Sequence, residues 1–223
     1  MLDSANLTDI PATDLDPSFS PTTGSRRALR GVPTWLRGEL VRKSLHMLIA
    51  FVPSIAATAG VETALVLLSL GTLVFAVSEY LRLNGHTVAV ITPLTILASR
   101  GRDPGQFVLG PVTLAVGAML ALLIYPATAA ALAIYALAFG DGIASLFGRA
   151  FGQTKIVAGK TVEGSLACFA AVWFATLLVT GRVEIAFAIA AVATVLEVLP
   201  TDDLDNVILP VGVGLIATIL LQV

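Results

Sequence analysis

The stretch ATAAALAIYALAFGDGIASLF, residues 127–147, places one aspartate inside an otherwise apolar segment. A membrane-spanning helix needs about 20 consecutive, mostly apolar residues, and this stretch is long enough. An ionisable side chain at membrane depth costs free energy, and such side chains are usually functional. Asp141, late in the stretch, therefore predicts both a membrane-embedded fold and the position of a site.

The composition of the whole chain supports this fold class. Of its 223 residues, 57% are hydrophobic and 13% are charged, whereas soluble domains carry about 25% charged residues. We predict an all-α, polytopic integral membrane protein rather than a soluble domain. The net charge of −2 argues against a nucleic-acid partner. The single cysteine, Cys168, excludes an internal disulfide and a cysteine-based metal site.

The hydropathy pattern predicts about seven transmembrane helices, at residues 44–61, 63–81, 106–124, 127–147, 162–180, 183–199 and 205–222. Residues 87–99 are apolar but short and contain Pro93, so we interpret them as an interfacial or re-entrant segment. Residues 1–37 are polar and then basic, which predicts a flexible cytoplasmic tail before a membrane-embedded domain at 38–223.

The placement of basic residues predicts the orientation. Of the 13 lysines and arginines, all except Arg182 fall on one side of the membrane in this seven-helix arrangement. Cytoplasmic loops collect lysine and arginine. The N-terminus is therefore expected in the cytoplasm and the C-terminus outside.

Further ionisable residues lie toward the same predicted face. His46, Glu79 and Glu197 are in three other predicted helices, and a group of aspartates, Asp202, Asp203 and Asp205, follows the last of them. Together with Asp141 they indicate a site facing the cytoplasm, where nucleotides are. Alternatively, His46, Glu79 and Glu197 are near enough to helix ends simply to reach water.

A polar loop follows Asp141. It contains glycines, cations and hydroxyls, namely Gly148, Arg149, Gly152, Lys155, Gly159, Lys160, Thr161, Gly164 and Ser165. Glycine-rich backbone can approach phosphate closely, and lysine supplies the opposite charge. The triplet Gly159-Lys160-Thr161 is not part of a P-loop, because residue 154 is threonine where that motif needs glycine. The alternative is a solvated, positively charged loop.

Acidic groups, cations and glycines on one face predict phosphoryl or nucleotidyl transfer onto a lipid. Asp141 and Asp203 are candidate Mg²⁺ ligands, with nucleotide phosphates and water completing the coordination. Lys160 and Arg149 would balance phosphate charge in the transition state. The sequence leaves open which carboxylate orients the attacking hydroxyl.

Five sequence elements resemble the polyprenol kinase family, which includes dolichol, phytol and farnesol kinases and CTP-dependent diacylglycerol kinases. Three of them lie in the centre of the chain: Gly140-Asp141-Gly-Ile-Ala-Ser145, Gly148-Arg149-x-Phe151-Gly152 and Gly159-Lys160-Thr-Val-Glu163-Gly164-Ser165. Glu39-Leu-Val-Arg42-Lys43-Ser-Leu-His46 precedes them, and a segment from Glu197 through Asp205-Asn206 to Pro210 follows them. The resemblance runs from about residue 39 to the C-terminus.

The resemblance implies a membrane enzyme that phosphorylates an isoprenoid or other lipid alcohol, commonly with CTP and a divalent cation such as Mg²⁺. It implies catalytic roles for His46, Asp141, Lys160 and Glu163. The nucleotide-binding set would be Arg42, Lys43, Gly148, Arg149, Gly152, Lys155, Gly159, Thr161, Gly164, Ser165 and Asn206. The metal set would be Asp141, Glu197, Asp203 and Asp205, with Glu79 in a substrate-binding or structural role.

Three alternatives remain. The CDP-diacylglycerol synthases share the Asp…Gly-Arg-x-Phe-Gly…Lys-Thr-x-Glu-Gly theme, but this chain lacks their His-Gly-Gly element. A CTP-dependent diacylglycerol kinase fits the same motifs. A transporter should show polar residues at the midplane and inverted repeats, which the sequence does not display. The identity of the alcohol (polyprenol, dolichol, phytol or farnesol) and the oligomeric state stay open.

Overall fold

The computed structural model describes residues 34–98, 105–201 and 204–222, and these ranges are built from helices. The helices are α1 Thr34–Met47, a 3₁₀ turn Leu48–Phe51, α2 Val52–Ala59, α3 Val61–Leu83, α4 Ile91–Ala98, α5 Gly110–Ile124, α6 Ala127–Tyr135, a π-helical segment Ala136–Asp141, α7 Gly142–Phe151, α8 Val162–Thr180, α9 Val183–Val198 and α10 Asp205–Leu221. These ranges contain no strand, so the all-α prediction is confirmed for them.

Within the part of the chain that the structure describes, four helical segments are long and apolar enough to cross a membrane: Gly38–Ala59, Val61–Leu83, Ala127–Phe151 and Val162–Thr180. The other three predicted spans coincide with the shorter helices α5, α9 and α10, of 15, 16 and 17 residues. The seven-span count therefore stays a prediction. The predicted interfacial segment contains α4, whose eight residues reach about 12 Å, too short to span. Most of the predicted tail, residues 1–33, lies outside the described residues.

Local sequence explains where the helices begin and end. Gly60 ends α2 with φ +92°, and Gly181 ends α8 with φ +65°, conformations that glycine adopts without a steric penalty. Thr161 precedes α8, and its side-chain oxygen accepts a hydrogen bond from the Gly164 amide at 3.2 Å. This contact caps the helix and fixes the end of the preceding loop.

The rod formed by α6, the π-helical segment and α7 is the centre of the molecule. Its apolar window is 61% buried, against 11% to 28% for the other three candidate spans. On one side its buried alanines and leucines pack against α8, α9 and α10, and on the other they pack against α2, α3 and α5. Because the side chains are small, neighbouring backbones can approach closely. Asp141 is thus carried by the most enclosed of the candidate spans.

Glycines allow α7 and α8 to cross closely. A Cβ atom added to Gly164 would lie 2.8 Å from the carbonyl oxygen of Ala144 and 3.2 Å from the Cα of Gly148. One added to Gly148 would lie 2.9 Å from Thr161 Oγ1. The close approach between backbones therefore explains these glycines without any ligand.

We expect Gly164→Ala to destabilise the protein by about 1–3 kcal/mol, because backbone atoms must shift to admit the methyl group. Gly71→Ala is the matched control. Gly71 lies within α3 and a Cβ there would meet nothing within 4 Å, so alanine should be neutral or stabilising through its higher helix propensity. Loss of helical circular dichroism during denaturation in detergent measures both. Equal stability of the two variants would contradict the packing assignment.

Candidate active site

A cavity of about 460 Å³ lies where α1, α7, the α7–α8 loop and the α9–α10 connection meet. Many of the predicted site residues line it, although they are far apart in sequence. They are Arg42, Lys43, Asp141, Gly148, Arg149, Gly159, Lys160, Thr161, Gly164, Ser165, Glu197 and Asp205. The structure therefore brings most of the predicted set to one place.

Asp141 is buried and is held by two side chains of α1. Lys43 donates from Nζ to Asp141 Oδ2 at 2.6 Å, and His46 Nε2 lies 3.2 Å from the same oxygen. His46 Nε2 also lies 2.9 Å from the carbonyl oxygen of Leu137 in the π-helical segment. A carbonyl only accepts hydrogen bonds, so Nε2 carries the hydrogen. His46 is not part of the cavity lining, and its position fits holding Asp141 rather than contacting a ligand.

Glu39 makes three polar contacts, two of which join α1 to α7. Its Oε1 accepts hydrogen bonds from Arg42 Nη2 and Ser145 Oγ, both at 2.6 Å. Its Oε2 lies 3.3 Å from Arg149 Nη1. Because Glu39 is 3% exposed, a buried carboxylate orients two arginines that line the cavity.

Glu39 was not among the predicted site residues, although a sequence signal existed. Residues 39, 42, 43 and 46 follow the i, i+3, i+4, i+7 spacing that places side chains on one helix face. Helical periodicity therefore places Glu39 on the same face of α1 as three residues that were predicted to belong to the site.

Lys160 forms the second lysine–carboxylate pair of the cavity. Its Nζ donates to Glu197 Oε1 at 2.6 Å, and Glu197 is buried. Burial alone would lower the pKa of Lys160, but the hydrogen bond and negative charge of Glu197, helped by Asp141 and Asp205, raise it above its usual value. Lys160 therefore stays protonated across the neutral range, and it loses its charge as the pH rises through that raised pKa.

The α7–α8 loop is closed by short backbone contacts. The amide of Ile156 donates to the Lys160 carbonyl at 2.8 Å, and Gly159 has φ +79° at the turn. Glu163 accepts hydrogen bonds from the Thr154 amide at 3.2 and 3.3 Å. Glu163 is outside the cavity lining, so the structure gives it a loop-holding position instead of a place beside a ligand.

Three more residues of the predicted nucleotide-binding set lie away from the cavity lining. Lys155 is exposed on the loop. Gly152 packs against Thr161. Asn206 Nδ2 donates to Thr113 Oγ1 at 2.9 Å and so ties α10 to α5.

Glu79 is paired with Arg82 and accepts from the Val108 amide at 2.9 Å. These contacts anchor the segment that leads into α5, which fits the structural role among those predicted for Glu79. Asp203, a predicted metal ligand, lies outside the described residues.

A preformed metal site is not present among residues 34–98, 105–201 and 204–222, where no three His, Cys, Asp or Glu side chains are grouped closely enough to hold an ion. Asp141 is bonded to Lys43, and Glu197 is bonded to Lys160. Asp141 and Asp205 do line the same cavity. Because Mg²⁺ is usually held by one or two carboxylates together with substrate phosphates, this donor set fits an ion that arrives with a phosphate ligand.

An apolar groove of about 380 Å³ lies between α1 and the α6–α7 rod. Its walls include Met47, Leu48, Phe51, Tyr135 and Phe139. Met47 follows His46 in sequence and Phe139 is two residues before Asp141. Residues that line the groove are therefore close in sequence to His46 and to Asp141.

Comparisons with known proteins identify no relative: no family model, no curated protein and no solved structure matches the chain.

We expect Glu39→Gln to lower the free energy of unfolding by about 1–3 kcal/mol, because the neutral amide weakens the charged hydrogen bonds to two arginines and disturbs the serine contact. Glu62→Gln is the matched control, since Glu62 is exposed in the first turn of α3 and should change stability by less than about 0.5 kcal/mol. Chemical denaturation in detergent measures the difference. If both variants unfold alike, Glu39 does not join α1 to α7 energetically.

Proposed function

We propose that the chain is a membrane-embedded kinase that transfers the γ-phosphate of a nucleotide, CTP, to the hydroxyl of an isoprenoid or related lipid alcohol. The observation that carries the proposal is one cavity that is lined by four cations, Arg42, Lys43, Arg149 and Lys160, and by the buried carboxylate of Asp141. The helices around it are apolar and four are long enough to cross a membrane. A charged cavity among apolar helices suits an enzyme that binds a phosphorylated ligand beside a membrane lipid.

The four cations supply what a triphosphate needs. Phosphoryl transfer depends mainly on positioning and on stabilising negative charge, with little covalent work for the protein. Glu39 already orients Arg42 and Arg149, which reduces the ordering that a bound phosphate must impose. Lys43 and Lys160 each lie against a carboxylate, so a phosphate would share or replace an existing charged partner.

Asp141 is the residue we assign to the acceptor alcohol. Its carboxylate would accept a hydrogen bond from the lipid hydroxyl and take its proton during transfer. The hydroxyl oxygen forms a bond to the γ-phosphorus, and the bond from that phosphorus to the β–γ bridging oxygen breaks, releasing CDP. Lys43 and His46 fix Asp141 from α1, so the base is positioned before substrate binds.

Asp205 is the described carboxylate we assign to the Mg²⁺ of the nucleotide complex, and it lines the cavity. A bound Mg²⁺ would neutralise charge that develops on the phosphate oxygens. The neighbouring predicted ligand Asp203 would add a second carboxylate.

The apolar groove gives a lipid chain a place beside the cavity. Its lining is mostly aromatic and aliphatic, and Leu48 and Phe51 are more than half exposed. Within a bilayer such a surface contacts acyl or isoprenoid chains rather than water. The alcohol could then reach Asp141 while its chain stays in the membrane. We also propose the seven-span arrangement, with the cavity facing the cytoplasm.

The reaction class is tested with the purified chain in nanodiscs and Mg²⁺. γ-Labelled CTP, ATP, GTP and UTP are offered with phytol, farnesol, a polyprenol, dolichol or diacylglycerol, and α-labelled CTP is offered with phosphatidic acid. Label moving from the γ position to an isoprenoid alcohol supports the proposal, and label on diacylglycerol would make the chain a diacylglycerol kinase. Transfer from the α position to phosphatidic acid would instead identify a cytidylyltransferase. Absence of label transfer by the folded protein would contradict the kinase proposal and make transport the next function to test.

In that assay we expect Asp141→Asn and Lys160→Gln each to lower kcat/KM by at least about 100-fold, because each removes a charge that acts at the reacting phosphates. Arg182→Gln is the matched control: this exposed cation precedes α9 at the end of the helix remote from Glu197 and should leave turnover unchanged. Near-normal turnover by either site variant would refute the assignment, as would inactivity of a folded Arg182→Gln.

The orientation is tested by labelling single cysteines in sealed vesicles. Cys168 is buried, and Cys168→Ala removes it as background. Lys155→Cys, on the exposed α7–α8 loop, should react with a membrane-impermeant maleimide from the cytoplasmic side. Arg182→Cys should react only from the other side. Labelling of both positions from the same side would contradict the proposed topology.

A further inference from the structure

Three buried side-chain oxygens have no hydrogen-bond partner among the described residues: Ser165 Oγ, Glu197 Oε2 and Thr201 Oγ1. All three residues line the same cavity. Buried polar atoms in folded proteins are nearly always bonded, because leaving one unpaired costs free energy. Their coincidence in one cavity indicates that a ligand supplies the missing partners.

The three oxygens come from three consecutive structural elements. Ser165 lies in the first turn of α8, Glu197 lies near the end of α9, and Thr201 lies in the connection to α10. Ser165 and Glu197 are more than nine-tenths buried. The other oxygen of Glu197 accepts from Lys160 Nζ, so Glu197 directly adjoins a cation proposed to hold phosphate.

The chemistry of the oxygens restricts the ligand group that can bind them. A carboxylate paired with lysine only accepts hydrogen bonds, whereas serine and threonine hydroxyls both donate and accept. A phosphate oxygen would be repelled by Glu197 Oε2. The group must therefore carry no negative charge and must offer hydrogen-bond donors.

The number of oxygens favours a ligand with more than one hydroxyl. A lipid alcohol offers one O–H group, which can satisfy one acceptor at a time. The ribose of a nucleotide offers two adjacent hydroxyls, each able to donate and to accept. Ribose is also joined to the phosphates through one carbon, and Glu197 is bonded to Lys160, a cation proposed to hold phosphate.

We propose that Ser165, Glu197 and Thr201 form the ribose subsite for the nucleotide donor. Glu197 Oε2 accepts from one ribose hydroxyl, and the Ser165 and Thr201 hydroxyls bond to the pair. The inference rests on the proposed function, because it assumes that a nucleotide occupies the cavity. It assigns the nucleoside end to the α8–α9 side and leaves the Lys43–Asp141 side for the transferred phosphate.

The test is equilibrium binding to the full chain in nanodiscs without lipid alcohol, by calorimetry with CTP, 2′-deoxy-CTP and 3′-deoxy-CTP. Loss of one hydrogen bond to a charged acceptor weakens binding by about tenfold or more. We expect the wild-type chain to bind at least one deoxynucleotide about tenfold more weakly than CTP. Ser165→Ala and Thr201→Val should reduce this discrimination, while Thr201→Ser, which keeps the hydroxyl, should retain it.

Thr194→Val is the matched control. Thr194 is on α9, its hydroxyl donates to the Ala190 carbonyl at 2.8 Å, and it is not part of the cavity lining. It should leave the discrimination unchanged. Thermal unfolding is a second measurement. Ser165→Ala removes a hydroxyl that has no partner among the described residues, so it should not lower the unfolding temperature in the absence of ligand. It should, however, reduce the rise in unfolding temperature that CTP produces.

Each result separates the inference from the proposed function. Equal binding of CTP and both deoxynucleotides would overturn the ribose subsite and leave a nucleotide site intact. Unchanged discrimination in Ser165→Ala and Thr201→Val would place the ribose elsewhere. A raised KM for the lipid alcohol with unchanged nucleotide discrimination would assign the oxygens to the acceptor. Absence of nucleotide binding by the folded protein would overturn both proposals.

Discussion

The neutralisation of Asp141 by Lys43 is the interaction on which the site depends. Asp141 belongs to the rod that both hydrophobic cores pack against, and an unpaired charge there would cost several kcal/mol. Lys43 and His46 supply the compensation from α1. Such a pair need not add net stability, because desolvation offsets its attraction. What it does is specify which face of α1 meets the rod and where the cavity forms.

The site repeats this arrangement of a buried carboxylate against a cation. Glu39 holds Arg42 and Arg149, and Glu197 holds Lys160. The Glu39–Arg149 pair connects α1 to α7, and the Glu197–Lys160 pair connects the α7–α8 loop to α9. Buried charges are tolerable only when paired and hydrogen-bonded. The polar residues therefore position the apolar helices relative to one another as well as lining the cavity.

Hydropathy predicted the helical class, and the cost of charges in an apolar setting singled out Asp141 and Glu197. Lys160 was predicted from the polar, glycine-rich loop, and the structure places all three residues around one cavity. Pairing could not be predicted, since it depends on the register of helices that meet only in three dimensions. Glu163 and Asn206 illustrate the limit, because their motif positions suggested ligand contact while their bonds hold a loop and a helix.

The roles of the glycines could not be predicted from the sequence, for a similar reason. A glycine-rich segment fits close approach by phosphate and close approach by another helix equally well. Only coordinates distinguish Gly164, which faces the backbone of α7, from Gly159, which has a positive φ and open space beside it. The number of membrane spans does not follow from hydropathy for three helices. α5, α9 and α10 are shorter than a full bilayer crossing, and a short helix can be accommodated by thinning of the bilayer or by its neighbours.

The α6–α7 rod forms a rigid wall of the cavity because it is enclosed by other helices, whereas α1 forms a wall that is more easily displaced. Displacing Asp141 would require both cores to repack, and packed interiors deform little. The cavity end of α1 is attached differently: Glu39, Lys43 and His46 hold it by polar contacts, while Leu40 and Leu45 are exposed. A polar contact can be exchanged for a contact with a ligand, whereas a packed core cannot. Admission of a bulky ligand would therefore be accommodated by movement of α1 over a stationary carboxylate.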